Sequence, residues 1–304
     1  MIADTDTTEI IHPSMELIKA IRKDADFLAD LDNHINDQEN FYLWWLGQSG
    51  YLIQWRGQRL LIDPYLSDSL TQKYADTKKP HIRMCEKLVD PGKLTGISLV
   101  TSSHNHTDHL DASTLIPLME ANPEMQMVIP EANRVFVTER IKKNLYYPIG
   151  LADGKSVTIG HFTLYGISAA HNEIEVDENG NDRYMGYIIS FGKWSIYHSG
   201  DTLLYEGLSD KILPFKPTLA LLPINGNDPS REVAGNLNIN ESVELAKAIG
   251  AKWLIPCHYD MFTFNTADVN KFAAIASEKA QPFCILDVGG KICSHELEPV
   301  LLPA

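Results

Sequence analysis

Short apolar runs alternate with polar turns along most of the chain. From Phe41 onward, the runs FYLWWLG, YLIQWRG and QRLLIDPYL are rich in β-branched and aromatic residues and are separated by glycine-containing turns, which predicts a β-meander. Five further runs predict single strands: GISLVTSS, QMVIP, PTLALLPIN, AKWLIPCH and PFCILDVGG. The pairs SVTIG/FTLYGIS and YMGYIISFG/KWSIYHSG predict hairpins. Helical periodicity falls on LDASTLIPLMEA, EANRVFVTERI, INESVELAKAIG and TADVNKFAAIASE.

Strands therefore come first, then alternate with helices, then pair again. This order predicts an α/β fold in which two sheets pack face to face with helices outside. No Pro/Gly/Ser-rich linker interrupts residues 41–304, so we interpret them as one domain. Residues 1–40 form an N-terminal extension, in which the apolar spacing over 14–34 predicts one amphipathic helix. Asp111 and Asn240 are the predicted N-caps of two helices, and Gly250 is a predicted C-cap.

Composition narrows the class of protein. The hydrophobic fraction of 44% is that of a globular chain, and no run of 18 apolar residues is present to span a membrane. The acidic start lacks the features of a secretory signal, and four scattered cysteines without a CxxC pair indicate reduced thiols, so we expect a cytoplasmic protein. A net charge of −14 argues against nucleic-acid binding but not against a small anionic substrate.

The strongest chemical motif is His104-Asn105-His106-Thr107-Asp108-His109, which directly follows a predicted strand. Three imidazoles and a carboxylate at this spacing are typical of a site for Zn²⁺, Mn²⁺ or Fe. One cation cannot readily use all four groups and also bind water, whereas two cations about 3.5–4 Å apart could. We therefore predict a dinuclear site.

Further ligands are expected at the ends of other strands. His171, Asp201 and His258 each lie just past a predicted strand, where they could converge on one face. His198 is open to three interpretations: a metal ligand, a residue that supports the ligands or protonates the leaving group, or a core histidine. Cys257 precedes His258, and strand alternation should turn its thiol away from the metals.

At this point the residues resemble a known family. HNHTDH resembles the HxHxDH signature of the metallo-β-lactamase superfamily, and Asp63 in LLIDP resembles the buried aspartate of its first motif. His171, Asp201 and His258 resemble its remaining ligands in the right order. WWLGQSGYLI, YHSGDT, LIPCHYD and NGNDPSR resemble the L-ascorbate-6-phosphate lactonase-like branch, from which His171 is a departure, since the third motif of that branch lacks a histidine.

The resemblance implies a four-layer αββα sandwich with the site at one edge of the sheets. It implies one metal held by His104, His106 and His171, a second held by Asp108, His109 and His258, and Asp201 bridging them. A metal-bound hydroxide, oriented by Asp108, would then attack the substrate.

Other residues are candidates for contacting the substrate. His198 or Tyr259 could protonate the leaving group, and Asn225, Asn227, Arg231 and Tyr259 could bind a small anionic substrate, with Arg231 pairing bidentately. The polar segment 68–95, with Lys78, Lys79 and Arg83, is either a loop over the site or a surface insertion.

Several functions are compatible with this constellation. The first is hydrolysis of a lactone or ester of a small anionic metabolite. The alternatives are a phosphodiesterase acting on a small phosphodiester or phospholipid, a redox protein related to the flavin/diiron members, and a non-catalytic binding module stabilised by metal. The redox alternative is disfavoured because those members carry Glu where this chain has His106 and because no flavin-binding domain follows. A homo-oligomer is compatible with the lactonase resemblance.

Overall fold

Two β-sheets form the centre of the protein, as described by a computed structural model for residues 16–233 and 235–297. The first sheet has seven strands in the order β13-β1-β2-β3-β4-β5-β6, and the second has six in the order β12-β11-β10-β9-β8-β7. The strands are β1 Phe41–Gly47, β2 Gly50–Trp55, β3 Gln58–Ile62, β4 Ile97–Thr101, β5 Gln126–Pro130, β6 Ile149–Leu151, β7 Ser156–Ile159, β8 Phe162–Ser168, β9 Met185–Phe191, β10 Trp194–His198, β11 Leu219–Pro223, β12 Trp253–Cys257 and β13 Lys291–Cys293.

Helices flank the two sheets, and the predicted αββα arrangement is confirmed. They are α1 Asp24–Asn33, α2 Ser69–Lys73, α3 Ala112–Ala121, α4 Arg134–Ile141, α5 Leu208–Ile212, α6 Ile239–Ala248 and α7 Val269–Glu278. Because helices cover the outer faces, every residue of β1, β2 and β11 is buried.

Strand direction brings several strand ends to one edge. In the first sheet, β1, β2 and β3 pair antiparallel as the predicted meander, and β3, β4, β5 and β6 are parallel. In the second sheet, β10 is parallel to β11 and β11 to β12, while β8 and β10 both run antiparallel to β9 and therefore share one direction. The segments that follow β4, β8, β10 and β12 carry the candidate ligands, and the segment that follows β3 carries Asp63.

Three sequence-based predictions differ from the structure. The helix predicted over 14–34 begins only at Asp24; Ile18 instead forms a bridge to Cys85, with its N–H donating to the carbonyl of Met84 at 2.8 Å. The backbone N–H and C=O groups of Ile18 therefore form hydrogen bonds with this neighbouring loop, so they do not need the hydrogen bonds of a helix. Residues 14 and 15 lie outside the described residues, and the domain boundary at residue 40 stays a prediction.

The other two differences concern the ends of α6 and the last predicted strand. The N-cap of α6 is Asn238, not Asn240, because Asn238 and Glu241 form a capping box; the C-cap is Ile249, with Gly250 following at a φ of 65°. The run PFCILDVGG contributes only a single bridge, Phe283 to Leu254, and the last strand is instead β13. Asp111 caps α3 as predicted.

Candidate metal centre

The loop from His104 to His109 leaves the end of β4 and folds back on itself at once. The backbone N–H groups of His109 and Leu110 both donate to the carbonyl of His106, at 3.1 and 2.8 Å. This turn leaves His104 and His109 buried, while His106 is exposed. The loop therefore presents its candidate ligands at different depths.

The second sheet brings three more ligand candidates to this loop. Asp201 Oδ1 lies 2.8 Å from His258 Nε2 and 3.3 Å from His109 Nε2, and Asp201 Oδ2 lies 3.5 Å from His171 Nε2. His171 Nε2 also lies 3.2 Å from His106 Nδ1. All seven side chains predicted as ligands are thus brought together by the fold.

Their ligand atoms form three overlapping groups. Within each group the atoms lie within 4.8 Å of one another, and the groups are His104/His106/His171, His104/His109/Asp201 and Asp108/His109/His258. Four of these atoms are buried and form no well-oriented hydrogen bond: Nε2 of His104, His109 and His258, and Oδ1 of Asp201. The approaches of His258 and His109 to Asp201 Oδ1 are close contacts without hydrogen-bond geometry. Buried polar atoms are rarely left unpaired, so this donor set fits divalent cations held between the imidazoles and the carboxylates.

Asp63 supports the loop from below. It follows β3 with a φ of 41°, is fully buried, and its Oδ2 lies 2.8 Å from His109 Nδ1. Its Oδ1 accepts hydrogen bonds from the Ser103 N–H at 3.0 Å and the Thr101 hydroxyl at 3.2 Å. A carboxylate on Nδ1 orients the His109 ring so that Nε2 faces the ligand cluster.

Gln48 is a contact residue that the sequence analysis missed. It lies in the turn between β1 and β2 with a φ of 51° and is buried. Its Nε2 donates to Asp108 Oδ2 at 2.8 Å and lies 3.2 Å from His258 Nδ1. Gln48 therefore holds two candidate ligands from opposite sheets.

The charges of the cluster favour a cation. Burial raises the pKa of the Asp201 carboxyl, but His258, His109 and His171 outweigh it and hold that pKa well below its ordinary value. Burial and the neighbouring imidazoles lower the pKa of His104 well below its usual range. Burial also lowers the pKa of His109, yet Asp201 and Asp108 outweigh this and raise it. The carboxylates that favour a proton on His109 would equally favour a metal ion there.

A pocket of about 470 Å³ opens onto the cluster. His106, Asp108, His171 and Asp201 line its floor. Its walls and rim are formed by Gln48, Leu70, Lys73, Tyr74, His81, Asn105, Thr107, Phe136, Arg140, Glu232, Val233, Asn236, Phe262, Phe264 and Asn265. Of the two interpretations of segment 68–95, the structure supports a loop over the site. The volume suits a small-molecule ligand.

His198 does not reach this pocket. It is fully buried, its Nε2 lies 3.0 Å from the carbonyl oxygen of Ser49, and its Nδ1 accepts from the Gly200 N–H at 3.3 Å. With both ring nitrogens engaged in the core, the prediction of a leaving-group acid is corrected to that of a core histidine.

Tyr259 is likewise a core residue. Its ring is 1% exposed and stacks on Trp45 with centroids 4.4 Å apart, and its hydroxyl donates to the carbonyl of Leu286. Burial raises the pKa of this hydroxyl well above its ordinary value. The predicted role in substrate binding or protonation is therefore not supported by its position.

The predicted anion-binding residues after β11 form hydrogen bonds within the protein instead. Arg231 donates to the carbonyls of Asn225 and Gly226 at 2.6 and 3.2 Å and to Asn265 Oδ1 at 2.7 Å. Asn225 donates to the same Asn265 oxygen at 2.8 Å, and Asn227 is exposed. None of Arg231, Asn225 and Asn227 lines the pocket.

The predicted basic residues of segment 68–95 either form ion pairs within the protein or lie outside the pocket. Lys79 pairs with Glu232 at 2.9 Å, and Arg83 is buried against Asp68 at 2.9 Å. Lys78 is exposed outside the pocket. The cations that do line the pocket, Lys73 and Arg140, were not singled out by the sequence analysis. Both lie on short helices whose place over the site depends on tertiary structure.

Comparison with known proteins agrees with this geometry. Residues 42–258 match the β-lactamase superfamily domain. The chain belongs to the metallo-β-lactamase superfamily. It is 26% identical to a UPF0173 metal-dependent hydrolase of Saccharolobus solfataricus, over 82% of this chain and 97% of that protein. The comparison supports the superfamily of metal-dependent hydrolases rather than the lactonase-like branch in particular.

Two solved structures share the fold. One is Igni18, a metallo hydrolase from Ignicoccus hospitalis, with a TM-score of 0.61 and 20% identity over 84% of this chain and 98% of that one. The other is isothiocyanate hydrolase from Delia radicum gut bacteria, with a TM-score of 0.65 and 18% identity over 83% of this chain and 98% of that one. Among the helices described for the present superfamily member, none has the length and apolar character needed to cross a bilayer.

Proposed function

We propose that this superfamily member is a metal-dependent hydrolase that acts on a lactone or ester of a small anionic metabolite. The observation that carries the proposal is a set of buried ligand atoms without well-oriented hydrogen bonds, on His104, His109, Asp201 and His258. These atoms belong to the same ligand groups as His106, Asp108 and His171, which line an open pocket together with Asp201. A cluster that only stabilised the fold would not need to face a pocket of small-molecule size.

We further propose two divalent cations, Zn²⁺ or Mn²⁺ with Fe as a third choice. His104, His106 and His171 would hold one, and Asp108, His109 and His258 the other. The two oxygens of Asp201 approach imidazoles of both sets, at 2.8 Å for His258 and 3.5 Å for His171, which supports a shared position for this carboxylate. Imidazole and carboxylate ligands accept all three metals.

When bound, such cations ionise water near neutral pH and polarise the carbonyl of the substrate. The chain supplies orientation. The side chain of Asp108 is 18% exposed at the pocket floor, and the hydrogen bond from Gln48 fixes one of its oxygens. The other oxygen is available to accept a proton from the attacking water and so aim it at the carbonyl carbon.

The corrected positions of His198 and Tyr259 favour a substrate with an undemanding leaving group. The alkoxide released from a lactone or ester would take up the proton that Asp108 accepts from the attacking water, so these substrates need no separate acid. A phosphodiester needs more help, and among the described residues His81 is the pocket-lining imidazole outside the ligand cluster.

The test combines metal analysis of natively purified protein with a substrate screen. A panel of lactones and carboxylic esters is compared with bis-(p-nitrophenyl) phosphate. We expect about two equivalents of divalent metal and turnover of lactones or esters. Preferential cleavage of the phosphodiester would favour the phosphodiesterase, and binding without turnover across the panel would favour the binding module.

Variants connect any activity to the site. Asp108→Asn and His106→Ala should reduce kcat/KM by at least about a thousandfold without unfolding the chain. His161→Ala is the matched control, since this exposed histidine lies outside the pocket. Full activity in either purified site variant would reject the proposed mechanism.

A further inference from the structure

We propose that Arg140 forms an anion-binding subsite in the wall of the active-site pocket, and that it recognises a carboxylate or phosphate group on the part of the substrate remote from the reacting carbonyl. This inference rests on the proposed function. It assigns to Arg140 the recognition of the substrate's charge, which the sequence analysis had predicted for Arg231.

The guanidinium of Arg140 is fixed in place by backbone carbonyls. Its Nη1 donates to the carbonyl of Asn105 at 2.7 Å and to that of Leu110 at 3.2 Å, which lie at the two ends of the ligand loop. Its carbon Cζ lies 4.4 Å from the ring centroid of Phe136, one helical turn earlier on α4. An arginine held on two sides loses little conformational entropy when it binds a ligand.

The rest of the guanidinium is free to bind an anion. Within the described part of the chain, Nε and Nη2 of Arg140 have no hydrogen-bond partner, and no carboxylate forms an ion pair with it. Asp111 partly offsets the lowering of the Arg140 pKa by burial, but the two side chains form no ion pair. In a protein with a net charge of −14, a half-buried arginine in the active-site pocket without an ion-pair partner is unusual. The remaining edge, formed by Nε and Nη2, matches the bidentate geometry of a carboxylate or phosphate.

A second cation strengthens the positive potential of the pocket. Lys73 lines the same pocket, its Nζ lies 5.0 Å from the ring centroid of Tyr74, and it forms no ion pair with a described carboxylate. The acidic side chain of the rim, Glu232, is paired with Lys79 at 2.9 Å. The wall of the pocket therefore presents positive charge to an arriving anion.

The test measures preference for charge within matched substrates. We compare the 4-nitrophenyl monoester of adipic acid with 4-nitrophenyl hexanoate, and add the 4-nitrophenyl ester of 5-phosphonopentanoic acid to separate carboxylate from phosphate recognition. All assays contain excess metal, and the metal content of each variant is measured. The variants are Arg140→Gln, whose amide can still donate to the loop carbonyls, and Arg140→Met. Lys143→Met, two residues after the end of the same helix and outside the pocket, is the control.

We expect the wild-type protein to prefer an anionic ester over the neutral one by at least about tenfold in kcat/KM. In both Arg140 variants kcat/KM should fall about 10- to 100-fold further on the anionic ester than on the neutral ester, mainly through KM. Lys143→Met should retain the preference. A wild type without preference, or Arg140 variants that keep it, would overturn the proposal.

The subsite can be separated from the hydrolytic function. If none of the esters is cleaved, the proposed function fails, and calorimetric titration with the adipic acid monoamide and hexanamide tests the subsite alone. Weaker binding of the charged amide to Arg140→Gln than to wild type supports the subsite, and equal binding rejects it.

Discussion

Asp63→Asn tests how the metal centre is oriented, because it changes charge and donor pattern with almost no change in shape. Asp63 accepts hydrogen bonds on both oxygens: Oδ2 lies 2.8 Å from His109 Nδ1, and Oδ1 accepts from the Ser103 N–H at 3.0 Å. An asparagine has one acceptor oxygen and one donor nitrogen. If the amide N–H₂ of the substituted side chain faces the Ser103 N–H, two donors oppose each other. If it faces His109 Nδ1, the proton of His109 must lie on Nε2, the atom proposed to bind metal.

The expected loss can be estimated from these contacts. A hydrogen bond to a charged group contributes about 1.5–3 kcal/mol, and at 0% exposure little solvent is present to replace it. We expect the free energy of unfolding of metal-depleted protein to fall by about 2 kcal/mol. Removing the partner of a ligating histidine typically lowers metal affinity 10- to 100-fold, and we expect that range here.

The assay is competition for Zn²⁺ against a chromogenic chelator, together with urea denaturation of the metal-depleted protein. Asp76→Asn is the control, since Asp76 is exposed and undergoes the same chemical change. Metal affinity of Asp63→Asn within twofold of wild type, in a folded protein, would show that Asp63 does not orient His109 and would refute the reasoning.

Two further predictions concern stability. His198→Leu removes the core hydrogen bonds of both ring nitrogens, so the free energy of unfolding should fall by about 2–3 kcal/mol. The kcat of the metal-loaded protein should stay within about threefold of wild type. A thousandfold loss of kcat at unchanged stability would instead show a role in catalysis. Burial raises the pKa of Asp37, but the N–H groups of Asn40 and Glu39 and the Tyr42 hydroxyl outweigh it and lower that pKa to about 2. The pKa of Asp37 is thus lower in the folded protein than in the unfolded chain, so its ionisation stabilises the fold. With solvent screening taken into account, this contribution is about 1 kcal/mol; it is present above about pH 4 and is lost towards pH 2. In urea titrations across that window, Asp37→Asn should differ from wild type at pH 6 and converge with it near pH 2, and parallel curves would contradict the assignment.

The ligand cluster was predictable because its information is local. His104 to His109 are contiguous, and His171, Asp201 and His258 each follow a recognisable strand. Carboxyl ends of strands that share a direction meet at one edge, so pattern and topology together predicted their convergence. The sheets themselves were predictable for the same reason, since β-rich runs and turn residues mark most strand boundaries.

The lining of the pocket was not predictable in this way. His198 ends β10 and lies only three residues before Asp201, yet its side chain points into the core. Arg231 lies five residues before Asn236, which lines the pocket, but the Arg231 guanidinium donates its hydrogen bonds to nearby carbonyls instead. Arg140 lies outside every motif named above, and Gln48 lies within WWLGQSGYLI, where nothing in the motif indicates a contact with the ligands. Their positions depend on where a helix and a turn lie in three dimensions. Periodicity determines which elements form, whereas the direction of a single polar side chain depends on neighbours distant in sequence.

The division of ligands between the sheets has a consequence for folding. His104, His106, Asp108 and His109 follow a strand of one sheet, whereas His171, Asp201 and His258 follow strands of the other. A cation bound between them would act as a cross-link that only the completed sandwich can form. Apparent stability should therefore rise with the free concentration of metal, by RT ln(1 + [M]/Kd) for each site. In a cell, the lifetime of this protein would then depend on the local supply of metal.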